Sequence, residues 1–452
     1  MPDIKTVAEF EKAKMHKPEP VEKTPVTNVH HERMLEHVDK FKTLGISRDI
    51  LRAIADEGFT EPTEIQTKSI PHVIANKDVI ARAATGSGKT LAFGCGVIQK
   101  TIKGRGIQAL ILAPTRELAE QTGLELKKFS KYKPLRVAIV YGGVPINRQI
   151  HAIRTADVIV GTPGRLLDHM QRKTITFQYI NTLVLDEADR MLDMGFLPDV
   201  KEIINSCSKD RQTLLFSATV SGAVAAIAKD YMKDPEEVFA ESHVDPTKLK
   251  QIYYDVSKNL KFSLLLYLLK NEKSDLVMVF CNTRRGVDFV AKNLTDHKID
   301  AIPIHGGFAQ AKRKKTLGKF HSQKAEVLVC TDVAARGLDI PSVSHVYNYD
   351  IPKESDQYIH RIGRTARAGK DGKVINILSD ADYDNFRKVM AKKHGTITRT
   401  EKPHIPMVSV SQPERRVYNR GRSGKPQNKQ HSGKRKKYNN NSGKKRPMQR
   451  RQ

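Results

Sequence analysis

The chain has 452 residues, 39% of them hydrophobic, and a formal net charge of +28. That length allows two or three domains with substantial cores, while no apolar run approaches the length needed to cross a bilayer. So large a positive charge points to a polyanionic partner. Fifteen Lys/Arg and no acid lie within residues 415–452, yet the preceding chain is basic as well.

The four cysteines, Cys95, Cys207, Cys281 and Cys330, are far apart and show no C-x-x-C spacing. This argues against a zinc site or a disulfide framework and for buried free thiols. The first eleven residues contain acids and lack the basic-then-apolar order of a secretory signal, so a cytoplasmic protein is expected.

In chain order, residues 1–38 mix charges with prolines and show little apolar periodicity, which reads as a flexible extension. A folded domain is expected over 39–240. Leu44, Ile46, Ile50, Leu51 and Ile54 recur at helical spacing until Gly58. Apolar, β-rich runs at 79–81, 109–113, 137–140, 158–160, 182–185 and 213–216 then alternate with helical stretches. That alternation predicts an α/β fold, a parallel sheet covered by helices, with functional residues at the carboxyl ends of its strands. Residues 241–251 lose periodicity and read as a linker. A second α/β domain is expected over 252–395, with runs at 276–280, 301–304, 327–330, 345–349 and 374–378. Residues 396–452 read as a basic, largely disordered tail.

The chemistry starts at Ala83-Ala84-Thr85-Gly86-Ser87-Gly88-Lys89-Thr90, between an apolar run and a helical pattern. Small residues let backbone N–H groups surround phosphate oxygens, Lys89 can reach the β- and γ-phosphates, and Thr90 can place its hydroxyl on Mg²⁺. Ala83 stands where the usual phosphate-loop pattern has glycine. Asp186-Glu187-Ala188-Asp189 ends a strongly apolar run. One carboxylate there can hold the metal while its neighbour handles the attacking water.

With these two elements in view, the chain resembles the DEAD-box RNA helicases of helicase superfamily two. The likeness spans about residues 39–395 and runs through some ten motifs. It implies two tandem RecA-like domains, RNA-stimulated hydrolysis of ATP with Mg²⁺, and RNA clamping with local duplex separation. A glutamine motif falls within 39–67: Gly58-Phe59-Thr60-Glu61-Pro62-Thr63-Glu64-Ile65-Gln66, with Phe41 upstream. Gln66 is thereby implied to read the adenine edge and Phe41 to stack on the ring, a core role being the other reading of Phe41. The hydroxyls of Ser217-Ala218-Thr219, together with Asp189 and His360, are implied to couple hydrolysis to domain motion.

Pro114-Thr115-Arg116-Glu117-Leu118, Gly142-Gly143 and Thr162-Pro163-Gly164-Arg165 are similar to the family's RNA clusters, implicating Arg116, Gly143, Thr162 and Arg165. In the second domain Arg313 and Thr331 are implied to do the same. The absence of an aromatic spread in these clusters suggests recognition of the RNA backbone rather than of sequence. Asp339 corresponds to the ribose contact. Within His360-Arg361-Ile362-Gly363-Arg364-Thr365-Ala366-Arg367, Arg364 and Arg367 match the arginine fingers, and Ala366 replaces a commoner glycine. Two other readings of the architecture stand beside unwinding: a slow ATP-gated RNA clamp, and a DNA translocase. The tail reads as an RNA tether or as nuclear-import signals, with tethering preferred. Ribosomal or RNA-decay proteins are conceivable partners; oligomeric state is not legible.

Overall fold

The computed structural model describes residues 38–84, 86–220, 222–240, 248–335, 340, 343–366, 371–392 and 395–411. Thr85, Asp339, Arg367, the extension before Val38, most of the expected linker and the chain from residue 412 lie outside these described residues.

The first sheet consists of β1 (Val79–Arg82), β2 (Ala109–Leu112), β3 (Val137–Val140), β4 (Val158–Gly161), β5 (Thr182–Asp186), β6 (Gln212–Ser217) and β7 (Glu236–Phe239). The second consists of β8 (Leu249–Asp255), β9 (Val277–Phe280), β10 (Ala301–Ile304), β11 (Val327–Cys330), β12 (His345–Asn348), β13 (Gly372–Leu378) and β14 (Ile397–Arg399). Their orders are β3-β4-β2-β5-β6-β1-β7 and β10-β11-β9-β12-β13-β8-β14. Adding seven to each number of the first order reproduces the second, so the two domains share one topology. Every pairing is parallel.

The central strands β2, β4, β5, β9 and β11 are buried along their whole length, as the continuous apolar runs predict for a sheet covered on both faces. Each sheet accordingly separates two apolar clusters. All four cysteines are free and buried, and burial pushes the Cys207 thiol up to about 12.

Three strands escape the sequence reading: β7 and β14, at corresponding edges of the two sheets, and β8 beside β14. β7 (Glu-Glu-Val-Phe) buries one residue in four and so lacks an apolar run. β8 begins at Leu249, inside the expected linker, and pairs with β13 over seven residues. β14 and the segment to Ser411 correct the expected tail boundary. Ile405, Val408 and Val410 pack on the second domain, Val408 N–H donates to Ser263 Oγ (3.1 Å), and Ser411 N–H donates to Asn293 Oδ1 (2.7 Å). The second domain therefore extends to about residue 411.

Candidate nucleotide and RNA site

The phosphate loop joins β1 to the helix Lys89–Lys100, whose N-cap Gly88 has φ 90°. A β-carbon at Gly88 would lie 2.3 Å from Gln66 Nε2, so both its backbone conformation and its neighbour require glycine. Gln66 Nε2 donates to Gly88 O (3.0 Å), Thr63 N–H donates to Gln66 Oε1 (2.9 Å), and Thr63 Oγ1 donates to Ser87 O (2.7 Å). The glutamine motif thus clasps the loop directly. An amide has two N–H groups and two oxygen lone pairs, so these bonds leave Gln66 one donor and one acceptor for a base edge.

Ala83 is buried, and its N–H donates to Ser217 O (2.9 Å). Lys89 Nζ, also buried, donates to Ala83 O (3.1 Å). Ser87 Oγ is buried and has no hydrogen-bond partner among the described residues. An unsatisfied hydroxyl, a glycine cradle and an inward lysine fit a triphosphate.

The cleft, 370 Å³, is lined by Phe59, Gln66, Gly86, Lys89, Thr90 and Glu187 among others. Phe41 is absent from it. Its ring is 0% exposed, packed in the cluster that holds Ile50, Ile54 and Phe93, so it presents no open face to the cleft here. Two aromatics line the cleft, the exposed Phe59 (47%) and the buried Phe129. In this structure Phe41 takes the core position of its other reading.

Asp186 closes β5 and Glu187 follows with φ 51°, ψ 52°. This left-handed conformation is sparsely populated for a non-glycine residue and typical of functional turns. Both carboxylates are buried. Burial raises the Asp186 carboxyl far above the usual range, with Lys89 opposing and Glu187 adding to the shift. Burial also raises Glu187, but the cations Arg190, Lys89 and Arg364 outweigh it and hold that carboxyl below the usual range. Arg190 forms a buried ion pair with Glu187. The sequence reading missed Arg190, although a cation three residues along from Glu187 is a usable signal. Among the described residues no three acids, histidines or cysteines cluster as a metal cage. A Mg²⁺ held by Thr90 and Asp186 would therefore complete its shell with phosphate oxygens and water.

Asp189 Oδ2 accepts from Ala218 N–H (3.1 Å), Thr219 N–H (2.9 Å) and Thr219 Oγ1 (3.0 Å). Ser217 Oγ accepts from Asp189 N–H (3.2 Å) and donates to Thr219 O (2.7 Å). The acidic tetrad and the Ser-Ala-Thr motif are thus one bonded unit.

In the second domain Arg364 is buried, and its charge reaches Glu187 of the first. His360 and Arg364 line a small hollow with Phe280, Asp332 and Arg361. Arg361, unassigned from sequence, is its organiser: its guanidinium binds both Asp332 oxygens (2.6 and 2.7 Å), Asn282 (3.0 Å), Asn348 (2.9 Å) and Asp350 O (2.6 Å). Ala366 has φ 55°, which explains why glycine is the commoner residue there.

The expected RNA residues are arranged less directly. Arg116 lies against the Gly142-Gly143 turn, where a β-carbon on Gly143 would fall 2.1 Å from its Nη1. Thr162 caps the helix Pro163–Gln171, and Thr331 precedes the helix Asp332–Ala335. Arg165 donates to Val144 O (3.0 Å) and Gln149 Oε1 (3.2 Å), so it holds the glycine turn from behind. Arg313 Nε donates to Glu117 Oε1 (2.7 Å) in the first domain. In this structure both guanidiniums are engaged by protein groups.

Residues 63–227 match the DEAD/DEAH box helicase family and residues 260–369 the helicase conserved C-terminal domain. The chain is 44% identical to the DEAD-box ATP-dependent RNA helicase CshA of Geobacillus kaustophilus, over 81% of this chain and 79% of that protein. The chain belongs to the DEAD-box helicases. It is also 46% identical to the ATP-dependent RNA helicase CshA of Limosilactobacillus reuteri, over 77% of this chain and 71% of that one. Among solved structures it resembles S. cerevisiae Dbp5 bound to RNA and ADP BeF3, with 32% identity, a TM-score of 0.73, and coverage of 80% of this chain and 95% of that chain. This DEAD-box helicase therefore has the tandem RecA-like architecture that the resemblance implied.

Proposed function

We propose that this DEAD-box protein is an ATP-dependent RNA helicase that couples ATP binding and hydrolysis to RNA clamping, local strand separation and remodelling of RNA or ribonucleoprotein. The observation that supports the mechanism is the contact between the domains, the Arg313–Glu117 ion pair at 2.7 Å, with Arg364 of the second domain helping to hold the Glu187 carboxyl of the first below its usual range. A hydrolytic site built from both domains is complete only when they meet.

ATP binds with its base edge at Gln66, its ring beside Phe59 and its phosphates on the 83–90 loop, where Lys89 turns from Ala83 O to the β- and γ-oxygens. Thr90 and Asp186 would hold a Mg²⁺ ion, which would neutralise phosphate charge. Glu187 orients and deprotonates the attacking water, with Arg190 keeping it ionised. Arg364, with Arg367 beyond the described residues, stabilises the charge on the transferred phosphoryl group. Asp339, also beyond them, contacts the ribose. The Asp189–Ser217–Thr219 unit links the state of the acidic tetrad to the domain interface, and His360 joins it from the second domain.

RNA crosses both domains at Arg116, Gly143, Thr162 and Thr331, through backbone and ribose contacts that carry little sequence information. Because RNA and ATP both favour the closed pair, each strengthens binding of the other. The basic tail tethers RNA. The protein works in the cytoplasm, with ribosomal or RNA-decay proteins as candidate partners; among the described residues no helix is long and apolar enough to cross a membrane.

The Glu187→Gln variant tests this reading. It should bind ATP and RNA, lose multiple-turnover hydrolysis and accumulate a long-lived RNA complex. Near-normal steady-state ATPase would remove Glu187 from its role.

A further inference from the structure

The nucleotide and RNA motifs occupy the carboxyl ends of the first sheet. At the opposite end, where the chain enters β2, β4 and β5, lies a second hollow of 590 Å³. Its floor is aliphatic, formed by Ile153, Ala156 and Ile175 with the half-buried Ile107 and Met170. Its rim carries Arg105, Arg154 and Lys173, all exposed, and the ring of Tyr179, 72% exposed. Among the described residues no carboxylate lines it.

Lys173 follows the helix Pro163–Gln171 with φ 54°. Its N–H donates to Met170 O (2.9 Å), and Thr174 N–H donates to His169 O (3.0 Å). This pair of bonds is a Schellman cap, whose left-handed position favours glycine. A lysine there strains the backbone, and the turn itself makes no use of its side chain.

We propose that this hollow is an accessory RNA site: one unstacked base enters it beside Tyr179, while the adjoining phosphates lie on Arg105, Arg154 and Lys173. The proposal rests on the reading that RNA crosses the two domains. The rim combines what a single strand needs, cations for phosphates and an exposed ring for a base face. An acidic peptide with an apolar anchor has matching chemistry. RNA is favoured because a strand already held on the same domain has its flank at high effective concentration, so that a weak contact is filled. A domain of this size is about 40 Å across. Only RNAs with roughly ten or more nucleotides beyond the cross-domain site can reach the hollow.

The test compares the full-length protein with Lys173→Gly, Tyr179→Ala and the triple variant Arg154→Ala/Lys173→Gly/Tyr179→Ala. Binding is measured with a non-hydrolysable ATP analogue on a short RNA, about eight nucleotides, and a long one, about thirty, lengths set by that domain size. The triple variant should bind the long RNA on the order of tenfold more weakly, with a salt slope smaller by about 1.4 for two lost phosphate contacts. The short RNA should be unaffected. Lys173→Gly should keep its melting temperature because glycine suits the cap, yet still weaken the long RNA. Ultraviolet crosslinks from uridines in the long RNA should map to Tyr179. Unchanged affinity for the long RNA would overturn the proposal, as would equal losses on both lengths. So would an acidic apolar peptide that binds the wild type but not the triple variant while long-RNA affinity stays constant. Failure of the wild type to bind the short RNA would instead defeat the underlying RNA reading.

Discussion

Arg313 Nε and Glu117 Oε1 lie 2.7 Å apart across the two domains, with side chains 10% and 12% exposed. Gln310 Nε2 also donates to Glu117 Oε1 (3.1 Å), and Lys314 pairs with Glu120 (2.8 Å). The Glu117 carboxylate thus gathers two donors from the helix Gln310–His321 at the place where the domains meet.

If Arg313 acts through Glu117, a double-mutant cycle in RNA affinity, measured with an ATP analogue, should give a coupling of order 0.5–3 kcal/mol. Glu117→Ala and Arg313→Ala should each weaken binding, and the double variant should lose little more than either. Additive losses would return Arg313 to direct RNA contact.

The two phenylalanines should separate cleanly. Phe59→Ala should weaken ATP binding by roughly 1–3 kcal/mol if the ring stacks on adenine, with melting temperature nearly unchanged. Phe41→Ala should cost about 3–5 kcal/mol of stability through the cavity it leaves. Nucleotide titration beside thermal melting reads both, and the opposite pattern would restore adenine stacking to Phe41.

Arg364→Ala should lower RNA-stimulated kcat by on the order of 10³, the low end for a lost arginine finger, with a smaller change in nucleotide affinity. Single-turnover ATPase with saturating RNA measures it. An effect on KM alone would make Arg364 a binding residue.

Truncations distinguish the folded C-terminal segment from the basic tail. A chain ending at Ser411 should melt like the full protein and hydrolyse ATP at the same kcat with saturating RNA. Its slope of log K against log salt should fall by about 4 if the tail neutralises roughly six phosphates. A chain ending at Gly395 should also lose β14 and the packing of Ile405 and Val408, so its melting temperature should fall. Equal salt slopes for the full chain and the one ending at Ser411 would exclude tethering.

The sequence by itself determined the two α/β domains, the phosphate loop, the acidic tetrad and the Ser-Ala-Thr motif. Each is encoded locally: buried parallel strands read as unbroken apolar runs, and a phosphate nest needs small residues at fixed spacing beside Lys89. Edge strands β7 and β14 carry no such run, because one side of each is half solvated, and only pairing with β1 and β8 identifies them; β8, between β13 and β14, mixes polar with apolar residues and is fixed by those two pairings. Tertiary structure alone decided which of Phe41 and Phe59 faces the cleft, since burial of either ring depends on neighbours distant in sequence, such as Phe93 for Phe41 and Phe129 for Phe59. It also decided what Arg165 and Arg313 touch. An arginine's sequence context reports its charge, but whether that charge meets RNA or a carboxylate 196 residues away is fixed by the packing of two separately folded sheets.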